Sequence, residues 1–149
     1  ILELGAFNGY IGNHYAQTYG SKVTCVEGRQ ENADEIKKNY PLVNVICADL
    51  DTPNWDFGHY DIIINYGLCY HLQNYHREHL LNCMNHCDFM FFESVIFDSF
   101  DSEIYFNSEN GGDQSLSGVG GTPSTSFVEN IFREHGSKFK KYYIIIRSF

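Results

Sequence analysis

The sequence lacks any long hydrophobic run. Nowhere do its 149 residues approach the roughly 20 consecutive apolar residues that cross a bilayer, so no membrane segment is expected. Positive charge is scarce: 10 lysines and arginines stand against 19 aspartates and glutamates, for a formal charge of −9. A broad nucleic-acid face needs clustered cations to neutralise phosphates, and this balance argues against one. Lys138, Lys140 and Lys141 form a small basic patch, which a solvated strand end explains better than a binding surface. No internal repeat or low-complexity tract is present. No leader or initiating methionine precedes the first apolar segment, so a piece trimmed at its N-terminus is expected, in which a targeting signal is not legible. The five cysteines (Cys25, Cys47, Cys69, Cys83, Cys87) are odd in number and sit in apolar or helical settings. Buried reduced thiols in a cytoplasmic protein are expected. What is abundant is aromatic: 12 Phe and 11 Tyr with only 19% charged residues, a globular composition long enough for one domain with a real core.

Apolar segments at 1–4, 22–26, 43–48, 61–65 and 89–95 predict strands, and 140–146 predicts a last one. Between them lie helical patterns. Ile11, Tyr15 and Tyr19 recur at four-residue spacing up to Gly20; Ala33, Ile36 and Tyr40 share a face up to Pro41. A third helix places Tyr75, Leu80, Cys83, Met84 and Cys87 on one side. The spacing Ser126-x-x-Glu129 predicts a capping box for a fourth, ending at Gly136. Residues 50–60 read as a loop. So does 98–123, which is rich in glycine and without periodicity, and a loop of that length serves most often as a lid or binding loop. Alternating strands and helices with continuously apolar strands predict an α/β fold: a Rossmann-like, doubly wound, mostly parallel sheet with helices on both faces, a three-layer sandwich.

In such sheets ligands bind outside the carboxyl ends of the strands. The first strand leads into Glu3-Leu-Gly5-Ala6-Phe7-Asn-Gly9-Tyr10, a turn in which glycine lets backbone approach a ligand. The helix start that follows offers free N–H groups. The second strand ends at Glu27-Gly28, about 20 residues beyond Gly5, the distance at which an acid can accept ribose hydroxyls. The third ends at Asp49-Leu50, where a carboxylate suits an adenine amine, and the fourth at Asn65-Tyr66-Gly67. Acids at three successive strand ends predict an adenosine site.

This ordered set resembles the class I S-adenosylmethionine-dependent methyltransferases across nearly the whole chain. Glu3 to Gly9 resembles their motif I, Val26-Glu27-Gly28 their ribose-binding acid, and Ala48-Asp49-Leu50 their adenine-flanking acid. Asp61 to Asn65 followed by Gly67-Leu-Cys-Tyr70-His71-Leu72 resembles one subgroup's motif IV and the turn after it, as does Phe92-Glu93-Ser94 before a glycine-rich loop. The resemblance implies S-adenosylmethionine as cofactor and S-adenosylhomocysteine as product. It places Glu3, Gly5, Ala6, Phe7, Gly9, Tyr10, Glu27, Gly28, Asp49, Leu50, Asn65, Tyr66 and Gly67 at the cofactor. Phe7 departs from the pattern, which has glycine there.

The implied reaction transfers a methyl group to an oxygen or nitrogen of a small-molecule or sugar-like acceptor. His71 is the candidate base, because histidine titrates near neutrality; Tyr70 would orient the acceptor and Glu93 bind its amine or a base. Other readings stay open: a cofactor-binding module without turnover, and an RNA or cap methyltransferase. A nicotinamide oxidoreductase also stays open, since Phe7-x-Gly9-x-x-Gly12 is a dinucleotide fingerprint with its first glycine lost. His76, His79, Cys83, His86 and Cys87 have zinc-like spacings but scatter around a helix, and no metal site is expected.

Overall fold

The computed structural model describes residues 1–135 of the chain. The expected helix end at Gly136, the strand at 140–146 and the three lysines lie outside the described residues. In chain order the elements are β1 (Leu2–Leu4), α1 (Tyr10–Tyr19), β2 (Val23–Glu27), α2 (Gln30–Asn39), β3 (Val43–Cys47) and β4 (Tyr60–Tyr66). A 3-10 turn (Cys69–His71), α3 (His76–Asn85), β5 (Cys87–Glu93), β6 (Ile104–Ser108), β7 (Val119–Pro123) and α4 (Thr125–His135) follow.

Five parallel strands form one sheet in the order β3-β2-β1-β4-β5. The chain starts at the centre, works outward to β3, then crosses back to β4 beside β1. The strand order therefore reverses between β1 and β4, which opens a crevice at their carboxyl ends. The register places Leu4 opposite both Val26 and Asn65, so the residues that follow these positions emerge at one level. This is the Rossmann-like architecture expected from the alternation of elements.

The apolar pattern explains the layers. β1 and β2 are buried along their whole length. One face packs Ala16 and Ile36 of α1 and α2 against Val23, Cys25 and Val43. The other packs Trp55, carried by the loop between β3 and β4, with Leu2, Leu4, Val26, Ile63 and Cys83. There α3 and α4 join through Leu80, Met84, Val128 and Ile131. Among the described residues no helix is long and apolar enough to cross a membrane.

Several boundaries differ from the sequence reading. Cys87 opens β5 rather than closing the third helix. β5 is less covered than its apolar run implied, with Phe89 and Phe91 exposed. Of the five free thiols, Cys47 is exposed and four are buried; burial pushes Cys69 up to about 12, far from reactive thiolate. The cap of α4 is Ser124, not Ser126. The Phe127 N–H donates to Ser124 Oγ at 3.0 Å, whereas Ser126 Oγ donates to the Ser99 carbonyl and Glu129 pairs with Arg133. The largest difference is the stretch 98–123. It holds an antiparallel hairpin, β6 paired with β7 from Ile104–Pro123 to Ser108–Val119. Gly121 anchors it to the turn after β4 by donating its N–H to the Leu72 carbonyl at 2.7 Å.

Candidate functional site

The turn after β1 is built from three left-handed residues, Gly5 (φ 66°), Phe7 (φ 48°) and Gly9 (φ 68°). Two are glycines, for which this backbone is free. Phe7 is the only non-glycine residue with positive φ among the described residues, at a cost of about 1–2 kcal/mol. Hydrogen bonds on both sides hold it there. The Ala6 N–H donates to the Val26 carbonyl at 3.0 Å and the Gly9 N–H to the Ala6 carbonyl at 2.7 Å. The Phe7 N–H itself donates to Glu27 Oε2 at 2.8 Å. Backbone and carboxylate contacts thus hold a phenylalanine in a left-handed conformation that favours glycine.

A cavity of about 300 Å³ lies beside this turn at the carboxyl ends of the strands. Gly5 and Phe7 form one wall, Glu27 and Gly28 the end of β2, Asp49 and Leu50 the end of β3, and Tyr66, Gly67, Tyr70 and His71 the far side. Residues after four different strands therefore meet in one place. Glu27 is buried and its charge is held by donors: Phe7 N–H on Oε2, and the Arg29 N–H (2.9 Å) and Asn32 Nδ2 (3.3 Å) on Oε1. Desolvation, followed by the charges of Glu93, Glu109 and Asp113, raises the Tyr70 pKa, which keeps its hydroxyl a neutral donor. The Tyr70 and His71 rings lie 4.1 Å apart.

A smaller cavity of about 190 Å³ opens on the other side of the turn, lined by Glu3, Ala6, Asn8 and Ile11 and sharing Gly5, Phe7 and Tyr66 with the first. Glu3 is buried beneath it. Its Oε2 accepts the Gly12 N–H at 2.9 Å and the Cys25 thiol at 3.0 Å, so it satisfies an otherwise unpaired donor in the first turn of α1. Desolvation raises its pKa, opposed by those two bonds.

The model of a family described as a methyltransferase domain matches residues 1–87, more than half of the chain. The chain belongs to that family. None of the curated proteins matches it. Among solved structures, the N-terminal domain of EvdMO1 with SAH bound superposes with a TM-score of 0.76 at 21% identity, over 90% of this chain and 63% of that one. Coclaurine N-methyltransferase bound to N-methylheliamine and SAH gives 0.64 at 24% identity, over 92% and 42%. The plantazolicin methyltransferase BpumL, in complex with a triazolic desmethylPZN analog and SAH, gives 0.50 at 20%, over 58% and 33%. The chain thus spans less than two-thirds of the length of each, and at these identities the likeness is one of fold.

Four residues of this methyltransferase-family chain that were expected at the cofactor or acceptor, Gly9, Tyr10, Asn65 and Glu93, line neither cavity. Gly9 faces α2, where a Cβ would stand 2.7 Å from Ile36. Tyr10 points to solvent. Glu93 folds back on the turn after β4, accepting the Gly67 N–H at 3.0 Å. Asn65 is turned to the opposite face of the sheet from Tyr66, because side chains alternate along a strand. It is fully buried, with its amide 2.9 Å from His79 Nε2.

His79 completes a buried chain under the sheet. The Trp55 indole N–H donates to its Nδ1 at 3.4 Å. Burial first, then the nearby His76, lower the His79 pKa from 6.5 to about 4. The unfolded chain takes up this proton near 6.5 and the folded one only near 4, so the folded state is favoured above that window and loses stability as pH falls through it. Across it the loss is about 3 kcal/mol. Urea unfolding at pH 7 and pH 5 is expected to show a lower midpoint at pH 5, and His79→Gln is expected to flatten that difference. An equal acid loss in both proteins would remove His79 from the account.

The structure also brings in residues that the sequence reading did not single out. Arg29 latches the hairpin tip: its guanidinium donates to the carbonyls of Gln114 (2.8 Å), Ser115 (3.2 Å) and Gly111 (3.3 Å), so the tip roofs the Glu27 end of the cavity. Asp51 accepts the backbone N–H groups of Gln73, Asn74 and Tyr75 and thereby fixes the entry to α3. Glu109, at the end of β6, meets His71. Of these, only Arg29 had a local signal, its place two residues after Glu27.

Proposed function

We propose that the chain is an S-adenosylmethionine-dependent methyltransferase acting on an oxygen or nitrogen nucleophile of a small-molecule or sugar-like acceptor, with S-adenosylhomocysteine as product. The observation that carries this reading is the Glu27 carboxylate, buried at the end of β2 and facing the cavity at the point where strand order reverses. A carboxylate offers about four acceptor sites; three donors occupy it here, the longest being Asn32 Nδ2 at 3.3 Å, so one site is free and a second opens for the other ribose hydroxyl when Asn32 yields. A cavity of about 300 Å³ is at the small end for cofactor sites and suits one nucleoside better than two. The methyltransferase-domain match and the SAH held by the EvdMO1, coclaurine and plantazolicin structures support the same choice.

In this reading Glu27 accepts the ribose hydroxyls, Asp49 the adenine amine, and Leu50 and Gly28 flank the base. The Gly5–Gly9 turn lets backbone approach the methionine part, with Glu3 bracing the turn from below. Held there, S-adenosylmethionine would supply an electrophilic sulfonium methyl with a neutral thioether as its leaving group. His71 takes the acceptor's proton and Tyr70 orients the acceptor by its hydroxyl. The net charge of −9 favours a small acceptor over a polyanion.

Calorimetry with S-adenosylmethionine, S-adenosylhomocysteine and NAD tests the assignment. Binding of the first two at one per chain, and none of NAD, is expected. Binding of NAD alone would sink it. Release of S-adenosylhomocysteine on a panel of phenols, sugars and amines would establish transfer. Tight binding with no turnover on any of them would instead indicate a module that holds the cofactor without using it.

A further inference from the structure

We propose that Glu109 is a positioning residue that fixes the His71 imidazole in one tautomer, with Nδ1–H held by the carboxylate and Nε2 presented to the cavity as proton acceptor. Glu109 Oε2 lies 2.6 Å from His71 Nδ1, with only 16% and 12% of the two side chains exposed. An ionised carboxylate only accepts, so Nδ1 must be the donor. In a neutral ring that leaves Nε2 without a proton, on the edge of the imidazole opposite Glu109. His71 lines the 300 Å³ cavity and Glu109 does not. The carboxylate therefore stands behind the wall and acts through the histidine rather than on the acceptor.

Two further features show that the carboxylate itself is held in place. Oε2 also accepts the Ser115 N–H at 2.9 Å, which ties it to the hairpin tip that Arg29 latches. Across the hairpin, a side chain on Gly120 would collide with the Glu109 carboxylate, so the absent Cβ leaves the space it occupies. A carboxylate so fixed orients the ring and stabilises the imidazolium that forms when Nε2 takes a proton. The hairpin is in this account part of the acceptor site, and the base is complete only when the hairpin is docked.

This role rests on the methyltransferase reading for the source of the proton, but the tautomer does not, and the two can be tested apart. Nitrogen-15 spectra of the S-adenosylhomocysteine-loaded protein, at a pH where histidine is neutral, are expected to show His71 protonated at Nδ1 and bare at Nε2. Glu109→Ala is expected to shift the ring toward the Nε2–H form. On an acceptor with an O–H or protonated amine, kcat is expected to fall roughly a hundredfold, with KM and S-adenosylhomocysteine affinity unchanged within about twofold. Glu109→Gln, whose carbonyl can take the same Nδ1–H and Ser115 N–H, is expected to keep the tautomer and recover most of the rate. A wild-type ring protonated at Nε2, or a tautomer unmoved in Glu109→Ala, would overturn the proposal. So would a loss of rate matched by an equal loss of cofactor affinity, which is the signature of a mere latch. Failure of the wild-type protein to bind S-adenosylhomocysteine would remove the methyltransferase reading, and the same spectra on the protein alone would still decide the role of Glu109.

Discussion

Gly5→Val is expected to abolish measurable binding of S-adenosylhomocysteine, a loss of more than about a thousandfold, or roughly 4 kcal/mol. Two effects add. Gly5 has φ 66°, where a β-branched residue is a genuine outlier and carries a strain of at least about 1–2 kcal/mol. A Cβ at that position would also stand 3.1 Å from Leu68 Cδ1, and valine's two methyl groups would project from a residue that lines both cavities. Relief of the strain requires the turn to move, and the turn carries the Phe7 N–H that holds Glu27. Gly5→Ala serves as the graded control: it keeps the backbone strain without the branched methyl groups and is expected to weaken binding less. Calorimetry on both variants, with thermal melts to establish folding, makes the check. Retained affinity in a folded valine variant would refute the role given to this turn.

Glu27→Ala is expected to weaken S-adenosylhomocysteine binding roughly a hundredfold, about 3 kcal/mol, through loss of two charge-assisted hydrogen bonds to ribose. The structure predicts a second consequence. The carboxylate also accepts the Phe7 and Arg29 N–H groups, so the variant leaves two donors at a buried site without this partner and removes a tie that holds the left-handed Phe7. A lowered melting temperature should therefore accompany the lost affinity. Glu27→Gln separates the two: its carbonyl can keep one of these donors, so stability should recover more than binding. An unchanged dissociation constant in the alanine variant would withdraw the ribose role.

These two sites were legible from the chain alone because their signals are local. A strand of apolar residues followed by glycine, and a strand ending in an acid, are patterns a few residues long, and parallel topology brings all strand ends to the same edge. The same reasoning failed where a side chain's face depends on register. Asn65 sits at the end of β4, but alternation turns it to the face of His79 and Trp55, while its neighbour Tyr66 lines both cavities. The cap of α4 was displaced by two residues because Ser124 is buried against the Asp101 carbonyl and the Glu103 N–H, contacts from a segment more than 20 positions away.

The hairpin was the least legible element. Strands announce themselves by burying one face, and β6 has little to bury: of Ile104 to Ser108 only the isoleucine is half-buried. β7 is Val-Gly-Gly-Thr-Pro, which reads as a breaker until one sees what the missing side chains make room for. Gly120 accommodates the Glu109 carboxylate, and the Gly121 carbonyl lies 2.7 Å from His76 Nε2.

The sequence by itself determined the parallel α/β sheet and the convergence of Gly5, Glu27, Asp49 and Gly67 on one edge, since apolar periodicity and strand ends are properties of neighbouring residues. Only the tertiary structure decided that His71 has a carboxylate partner 38 positions away and that the hairpin tip roofs the cavity. It also decided that Phe7 keeps a glycine's conformation. Each of these depends on contacts between segments far apart in the chain, formed once packing of the sheet has fixed where its loops emerge.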